Sequence, residues 1–268
     1  MSLVERHFAL ARRPFANAPD PAFLVTSPGF EEAFARLVYD VTEARGGLSL
    51  VTGEIGCGKT MLANALLDRL AGTPHAATML GTPRLTPAEL LREVLRATGG
   101  PAAPRGRHAL VEAVARHLAQ RHANGGRAVL VVDEAQLATP SLLEEVRLLT
   151  NFEDRHEKHI HVVLVGQPEL RDRVAKHRQI DQRIGLRAHV VPLDGAEVAA
   201  YVAHRLQVAG GDVRRTFEPA AVEALAVRSG GVPRLVNNLA AQSMFVCAAR
   251  RERLVGAELV ADVAEDRE

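Results

Sequence analysis

Apolar residues fall into two patterns along this chain. Short, nearly unbroken runs occur at Leu48-Ser49-Leu50-Val51-Thr52, Ala128-Val129-Leu130-Val131-Val132 and His161-Val162-Val163-Leu164-Val165-Gly166. Each has the length of a strand and is apolar at successive positions, as a parallel strand covered on both faces requires. Ala76–Leu80 reads as a weaker strand and Ala188–Leu193 as a short fifth one. Between the runs the spacing changes to three and four. Phe30, Phe34, Leu37, Val38 and Val41 make one helical face, and Leu110, Val114 and Leu118 another within 109–122. Thr86-Pro87-Ala88-Glu89 has a cap, a proline at the first helical position and a glutamate three after the cap. Thr139-Pro140 opens a helix that runs through Leu149. Strands alternating with helices predict an α/β fold around a five-stranded, mostly parallel sheet.

After Leu193 only helical patterns remain. Asp194-Gly195-Ala196-Glu197 starts one through Leu206, Glu218-Pro219 one through Val227, and 233–249 and 256–264 two more. This predicts a base domain over 1–194 and a smaller all-α domain over 195–268. Residues 1–29 place Phe8, Phe15 and Phe23 in a frame of prolines, which argues against a regular helix there. Such a segment must pack on something larger, and the base is the expected support.

The stretch between the first strand and its helix carries the chemistry. Gly53-Glu54-Ile55-Gly56-Cys57-Gly58-Lys59-Thr60 matches the phosphate-binding loop pattern without a mismatch, and Met61 continues it into the helix. Glycines in such a loop turn backbone N–H groups toward phosphate oxygens, and the positive end of the following helix faces the same anion. Lys59 is expected on the β- and γ-phosphates of ATP and the Thr60 hydroxyl on Mg²⁺. Only three lysines occur in the chain, Lys59, Lys158 and Lys176, so a chance Gly-Lys-Thr at this spacing is improbable. The second apolar run leads into Asp133-Glu134. At the carboxyl end of a strand, Asp133 is expected to hold Mg²⁺ and Glu134 to act as general base on the attacking water. By themselves the two acids read equally well as a helix cap.

Further positions stay open on the residues alone. Gln167 follows the fourth strand and either reaches the γ-phosphate or starts a helix. An arginine of the stretch 178–187 either projects into a neighbouring subunit's nucleotide or lies on a solvated face. Arg234 falls in the first turn of a helix, where a cation opposes the helix dipole, which suggests an anionic partner. Cys57, at a helix N-terminus, is either redox-active or a small residue the loop tolerates.

Composition narrows the partners. Basic and acidic residues balance, 33 against 32, so a global basic surface for nucleic acid is absent and only a local patch remains open. Aromatics are 4% and Trp is absent, leaving little for stacking on single strands. Two cysteines, Cys57 and Cys247, fit a reducing compartment. No apolar stretch approaches a membrane span, and the first residues carry no signal-peptide pattern. The chain therefore reads as soluble and cytoplasmic.

Together these strings resemble the AAA+ ATPases, and more specifically the ExeA/GspA-type ATPases of the general secretion pathway. The resemblance rests on Pro14-Phe15, on Pro19-Asp20-Pro21-Ala22-Phe23-Leu24, and on Thr52-Gly53-Glu54 entering the loop. It continues in Val132-Asp133-Glu134-Ala135-Gln136, in the stretch 142–153, in Val163–Leu170, and in Gly230-Gly231-Val232-Pro233-Arg234 with the residues after it. It implies a P-loop αβα sandwich with a helical lid, ATP hydrolysis with Mg²⁺, and a ring or helical homo-oligomer with its sites at subunit interfaces. It also implies Gln167 as sensor 1, Arg183 as the arginine finger, with Arg187 its rival, and Arg234 as sensor 2. Envelope-acting members carry a membrane span and a peptidoglycan-binding region after the ATPase. Because this chain ends at Glu268, that module is expected to be absent or supplied by a partner. The core is similar also to transposition helpers of the MuB/TniB kind. The functions expected are thus an ATPase serving a secretion or pilus-type envelope machine, a DNA-binding assembly ATPase, or an ATP-binding switch without turnover. Glu134 argues against the last.

Overall fold

The computed structural model of the chain describes residues 2–17, 20–44 and 46–266; Pro19, in the N-terminal proline frame, lies outside them. In chain order the elements are α1 Leu3–His7, α2 Pro28–Thr42, β1 Leu48–Gly53, α3 Lys59–Leu70, β2 Ala76–Leu80, α4 Pro87–Ala97, α5 Arg107–Ala123 and β3 Ala128–Val132. They continue with α6 Pro140–Leu149, β4 Ile160–Gly166, α7 Glu169–Ala175, α8 Arg178–Asp181, β5 Ile184–Val190, α9 Gly195–Val208, α10 Pro219–Ser229, α11 Pro233–Arg250 and α12 Ala257–Glu265. Among the described residues no helix is long and apolar enough to cross a membrane. By internal contacts the chain divides into two compact units, one of 30–54 and 59–190, the other of 1–29, 55–58 and 191–268.

The first unit holds the sheet. Its strand order is β2-β3-β4-β1-β5, and every pairing is parallel, so the sheet is wholly rather than mostly parallel. β1, β3 and β4 are buried along their whole length. Leu48, Leu50, Leu130, Val132, Val162 and Leu164 share a core with Leu90 and Leu91 of α4, Leu110 and Val114 of α5 and Leu142 and Val146 of α6. The Thr86 capping box forms as the sequence predicts. The fifth strand lies earlier than the run 188–193. Leu186, Ala188 and Val190 are buried and Gly185, Arg187 and His189 exposed, the period-two alternation of an edge strand. Pro192 has no N–H for a ladder, which ends the strand before it.

The second unit is helical, and the N-terminal segment belongs to it rather than to the base. Leu10, Phe15 and Phe23 are buried among Val198, Val202, Leu206, Phe217, Val236 and Met244. The physical reason is Arg205. Prolines leave carbonyls that no helix uses, and Arg205 supplies the donors: Nε to the Pro14 carbonyl at 2.6 Å and Nη2 to that of Ala16 at 2.7 Å. Its guanidinium also lies over the Phe23 ring, 4.9 Å from the centroid. A regular helix does occur here, α1, before the first proline, with Ser2 and Glu5 forming a capping box.

Candidate functional site

All strands of the sheet point the same way, so their carboxyl ends share one edge, where open α/β sheets bind ligands. In register Thr52 lies beside Gly166 and Val132 beside Leu164. The residues that follow, Gly53, Gln167 and Asp133, therefore emerge side by side from adjacent strands.

β1 ends at Gly53, whose missing side chain is a steric need: a Cβ there would stand 2.6 Å from the Val190 carbonyl oxygen. Glu54 and the tip residue Ile55 are exposed, and Cys57 is buried. Gly56 and Gly58 have φ of +87° and +98°, a region that side chains disfavour. At Gly58 a Cβ would meet nothing within 4 Å, so the requirement there is conformational alone. Lys59 opens α3, and its Nζ donates to the carbonyls of Gly53 and Glu54, at 2.8 Å each. The lysine thus spans its own loop, 8% exposed, and holds it in a cradle. Met61 is half-buried in the first turn of α3.

The Thr60 hydroxyl donates to Asp133 Oδ2 at 2.8 Å. These two oxygens fit Mg²⁺, a hard cation that takes oxygen ligands at about 2.0–2.1 Å, which sets neighbouring octahedral ligands about 2.9 Å apart. Asp133 is 5% exposed and fixed through its backbone N–H to the Leu80 carbonyl.

Glu134 is strained. Its φ and ψ of 50° and 36° are left-handed, which few residues other than glycine adopt. Its N–H donates to Asp133 Oδ1 at 2.9 Å, and its carboxylate accepts from Gln136 Nε2 at 2.6 Å. Gln136 Oε1 accepts from the Gln167 N–H at 3.2 Å, which fixes which end of the amide is oxygen. Gly166 makes room for this: a Cβ there would lie 2.5 Å from Gln136 Oε1. Arg173 clamps the backbone beneath, donating to the Gln136 carbonyl and, at 2.6 Å, to that of Ala138. Gln136 thus joins Glu134 to the strand that carries Gln167. Sequence reasoning quoted Gln136 without giving it a role; only its place directly behind the Asp-Glu pair hinted at one.

The candidate finger residues are elsewhere. Arg183 precedes Ile184, which pairs with Leu48 at the opposite end of β1 from the loop. Its Nη1 donates to Thr150 Oγ1 at 3.0 Å. Arg187 is exposed on β5 and forms an ion pair with Asp181 at 2.8 Å.

The helical unit contains the loop tip 55–58 and, with it, Arg234. Gly231, at φ +74°, is pressed against Leu193: its carbonyl accepts from the Leu193 N–H at 2.9 Å, and a Cβ would stand 1.9 Å from the Leu193 oxygen. That turn aims the start of α11. The Arg234 N–H donates to the Gly56 carbonyl at 3.3 Å, and a Cβ on Gly56 would approach Arg234 Cβ to 2.7 Å. Arg234 itself is exposed at the uncapped N-terminus of α11, beside the loop tip.

The chain is similar to known proteins. A family described as "AAA domain" matches residues 42–174. General secretion pathway protein A of Aeromonas hydrophila is 40% identical over 246 residues, which cover 91% of this chain and 44% of that protein. The chain thus spans less than half the length of this relative. Among solved structures, the ORC2 protein of Aeropyrum pernix in its ADPNP-ADP complexes superposes with a TM-score of 0.69 at 20% identity, over 95% of this chain and 71% of that one. Drosophila ORC bound to DNA gives 0.69 at 18%, over 98% and 65%. At these identities the likeness is one of fold.

Proposed function

Because the chain belongs to the AAA+ family, in the group of General secretion pathway protein A, we propose that it binds ATP with Mg²⁺ and hydrolyses it to ADP and phosphate. Turnover drives assembly or remodelling of a partner complex, a secretion or pilus-type envelope machine in the first reading. The observation that carries this is the oxygen pair Thr60 Oγ1 and Asp133 Oδ2, 2.8 Å apart, with Glu134 next in the chain.

Gly53–Gly58 wraps the phosphates with backbone N–H groups, and Lys59 exchanges its loop carbonyls for the β- and γ-phosphate oxygens. Thr60 and Asp133 hold the magnesium ion, which neutralises charge on the phosphates when bound. Glu134, held by Gln136, accepts a proton from the attacking water. Gln167 orients the water or the γ-phosphate. Arg234, beside Gly56, answers the negative charge of the bound nucleotide. Arg183, remote from its own loop, acts in a neighbouring copy within a ring or helical assembly, with Arg187 as the rival. The need for ATP assigns this work to the cytoplasm.

The test is ATP turnover by the full chain beside Lys59→Ala and Glu134→Gln. Lys59→Ala loses nucleotide binding. Glu134→Gln keeps binding and loses turnover about 10²–10⁴-fold, the usual worth of a general base. Wild type that turns over ATP no faster than either variant sinks the proposal. Duplex DNA in the same assay tests the transposition-helper alternative, for which salt-sensitive stimulation is required.

A further inference from the structure

A second cluster of metal-type ligands lies in the sheet-containing unit, at the amino end of the strands. His122 is in the last turn of α5, and Asp154 and His159 flank the tight turn that leads into β4. This turn is built by hydrogen bonds: Asp154 N–H to the Glu157 carbonyl at 3.1 Å, and His159 N–H to the Phe152 carbonyl at 2.9 Å. Asp154 Oδ1 accepts from the N–H groups of His156 and Glu157, at 2.7 and 2.9 Å.

With Oδ1 occupied, Oδ2 faces two imidazoles. His122 Nε2 is 3.4 Å away and His159 Nε2 3.5 Å away. The rings stack at 4.8 Å, and the three ligand atoms all lie within 4.8 Å of one another. These separations are informative. A charge-assisted hydrogen bond from imidazolium to carboxylate would close to about 2.7–2.9 Å. Bonds of about 2.0–2.2 Å in a zinc tetrahedron instead set donor atoms about 3.3–3.6 Å apart. Both Nε2-to-oxygen separations fall at that spacing, and the third separation is within 4.8 Å.

The surroundings favour a cation. The carbonyls ending α5 carry the negative end of its dipole. Arg127, the nearby cation, is already engaged: Nη1 donates to the carbonyls of Val41 and Ala44, and Nη2 lies 3.5 Å from Glu157 Oε2. Glu157 Oε2 is 3.9 Å from His122 Nε2, close enough to support the site while paired with Arg127. Access is open, because Asp154 is exposed and His122 partly so.

We propose that His122, Asp154 and His159 form a binding site for a divalent transition-metal ion of the zinc class, with three protein ligands and a position left for water. The two imidazoles select against Mg²⁺ and Ca²⁺, which prefer all-oxygen ligands. The ion ties the end of α5 to the turn before β4, separate from the nucleotide loop and independent of the function proposed for it.

The experiment is calorimetric titration of the metal-stripped full chain with Zn²⁺ in excess Mg²⁺, paired with Co²⁺ absorption spectra. The expected result is one equivalent of zinc, intense visible Co²⁺ bands of four-coordination, and a melting temperature that rises with zinc. His159→Ala and Asp154→Asn each weaken binding more than about tenfold, the least that even outer partners of a metal site contribute. Asn at 154 keeps an oxygen for the turn N–H groups, so this variant removes the anionic ligand and spares the turn. Absence of binding overturns the proposal, as does binding that both variants leave unchanged.

Discussion

Two polar clusters occupy opposite ends of the same strands. At the carboxyl ends, Thr60, Asp133, Glu134 and Gln136 are joined by hydrogen bonds of 2.6–2.9 Å, next to Lys59, which holds the Gly53 and Glu54 carbonyls. At the amino ends, Ser49 of β1 and His161 of β4 meet Asp40 of α2. The Ser49 hydroxyl donates to Asp40 Oδ2 at 2.6 Å and lies 2.7 Å from His161 Nε2. By composition this second cluster is the more provocative, since Ser, His and Asp are the components of a hydrolytic triad. Its geometry is wrong for that role: serine sits between the other two, where a triad needs histidine in the centre. Ser49 and His161 are 0% exposed, so no substrate reaches them. The carboxyl-end cluster draws its residues from strand ends and loops, where a ligand can enter. Residue type identifies neither; position along the strand does.

The buried cluster should behave as a structural element. His161→Leu leaves the Gly46 carbonyl without its imidazole partner and takes one of two contacts from the Ser49 hydroxyl, which still donates to Asp40; the expected cost is up to about 3 kcal/mol in urea unfolding, the upper end of the range for an unsatisfied buried polar group. ATP turnover per folded molecule should stay within about twofold, because the nucleotide loop is at the other end of β1. A large loss of turnover at unchanged stability would reverse the roles assigned to the two ends.

A pH series probes the same contrast with a somewhat smaller effect. Burial, with Arg127 adding to it, pushes His161 from its ordinary 6.5 down to about 3. Between those values the unfolded chain binds a proton that the folded one refuses. The stability is therefore fully present above pH 6.5 and falls as pH drops toward 3, by about 2 kcal/mol at pH 5. Asp40 works the other way. Burial raises its pKa above 3.8, so the folded form retains a proton there and recovers part of the loss near pH 4. In His161→Leu the decline below pH 6.5 should shrink; an unaltered slope would remove His161 as its source.

Gln136→Ala sharpens the other end. It frees the Glu134 carboxylate and is expected to lower turnover about tenfold, or about 1.4 kcal/mol in the barrier, with nucleotide affinity unchanged. Gln136 acts through Glu134, so restoration by Glu rather than Ala at 136 is not expected, whereas the pH profile should shift. The smallest effect concerns strain. Glu134→Gly relieves the left-handed backbone and should raise stability by about 0.5–1 kcal/mol, glycine's own chain entropy offsetting part of the gain, while turnover is lost. A destabilised variant would show that Glu134 is held there by more than its neighbours.

The sequence carried the phosphate loop, the Asp-Glu pair and the buried strands β1, β3 and β4, because these are written in consecutive residues and in unbroken apolar runs. It misled at β5, where an edge strand alternates and hides its period behind Arg187 and His189. It missed the attachment of the N-terminal segment, because the donors for those proline-rich carbonyls come from Arg205, nearly two hundred residues away. Gln136 was visible as a letter and invisible as a link, since its partner is the backbone of Gln167.

What the sequence alone determined about this protein is local: a loop whose glycines, lysine and threonine specify phosphate binding through backbone conformation and charge. The tertiary structure decided which distant residues meet. The parallel sheet brings Asp133 to Thr60 because all strand ends fall on one edge, and it buries Asp40, Ser49 and His161 because the other edge is covered. It also brings His122 to Asp154 and His159, a grouping that no spacing in the chain announces, since a helix end and a turn come together only through the packing of α5 beside β3.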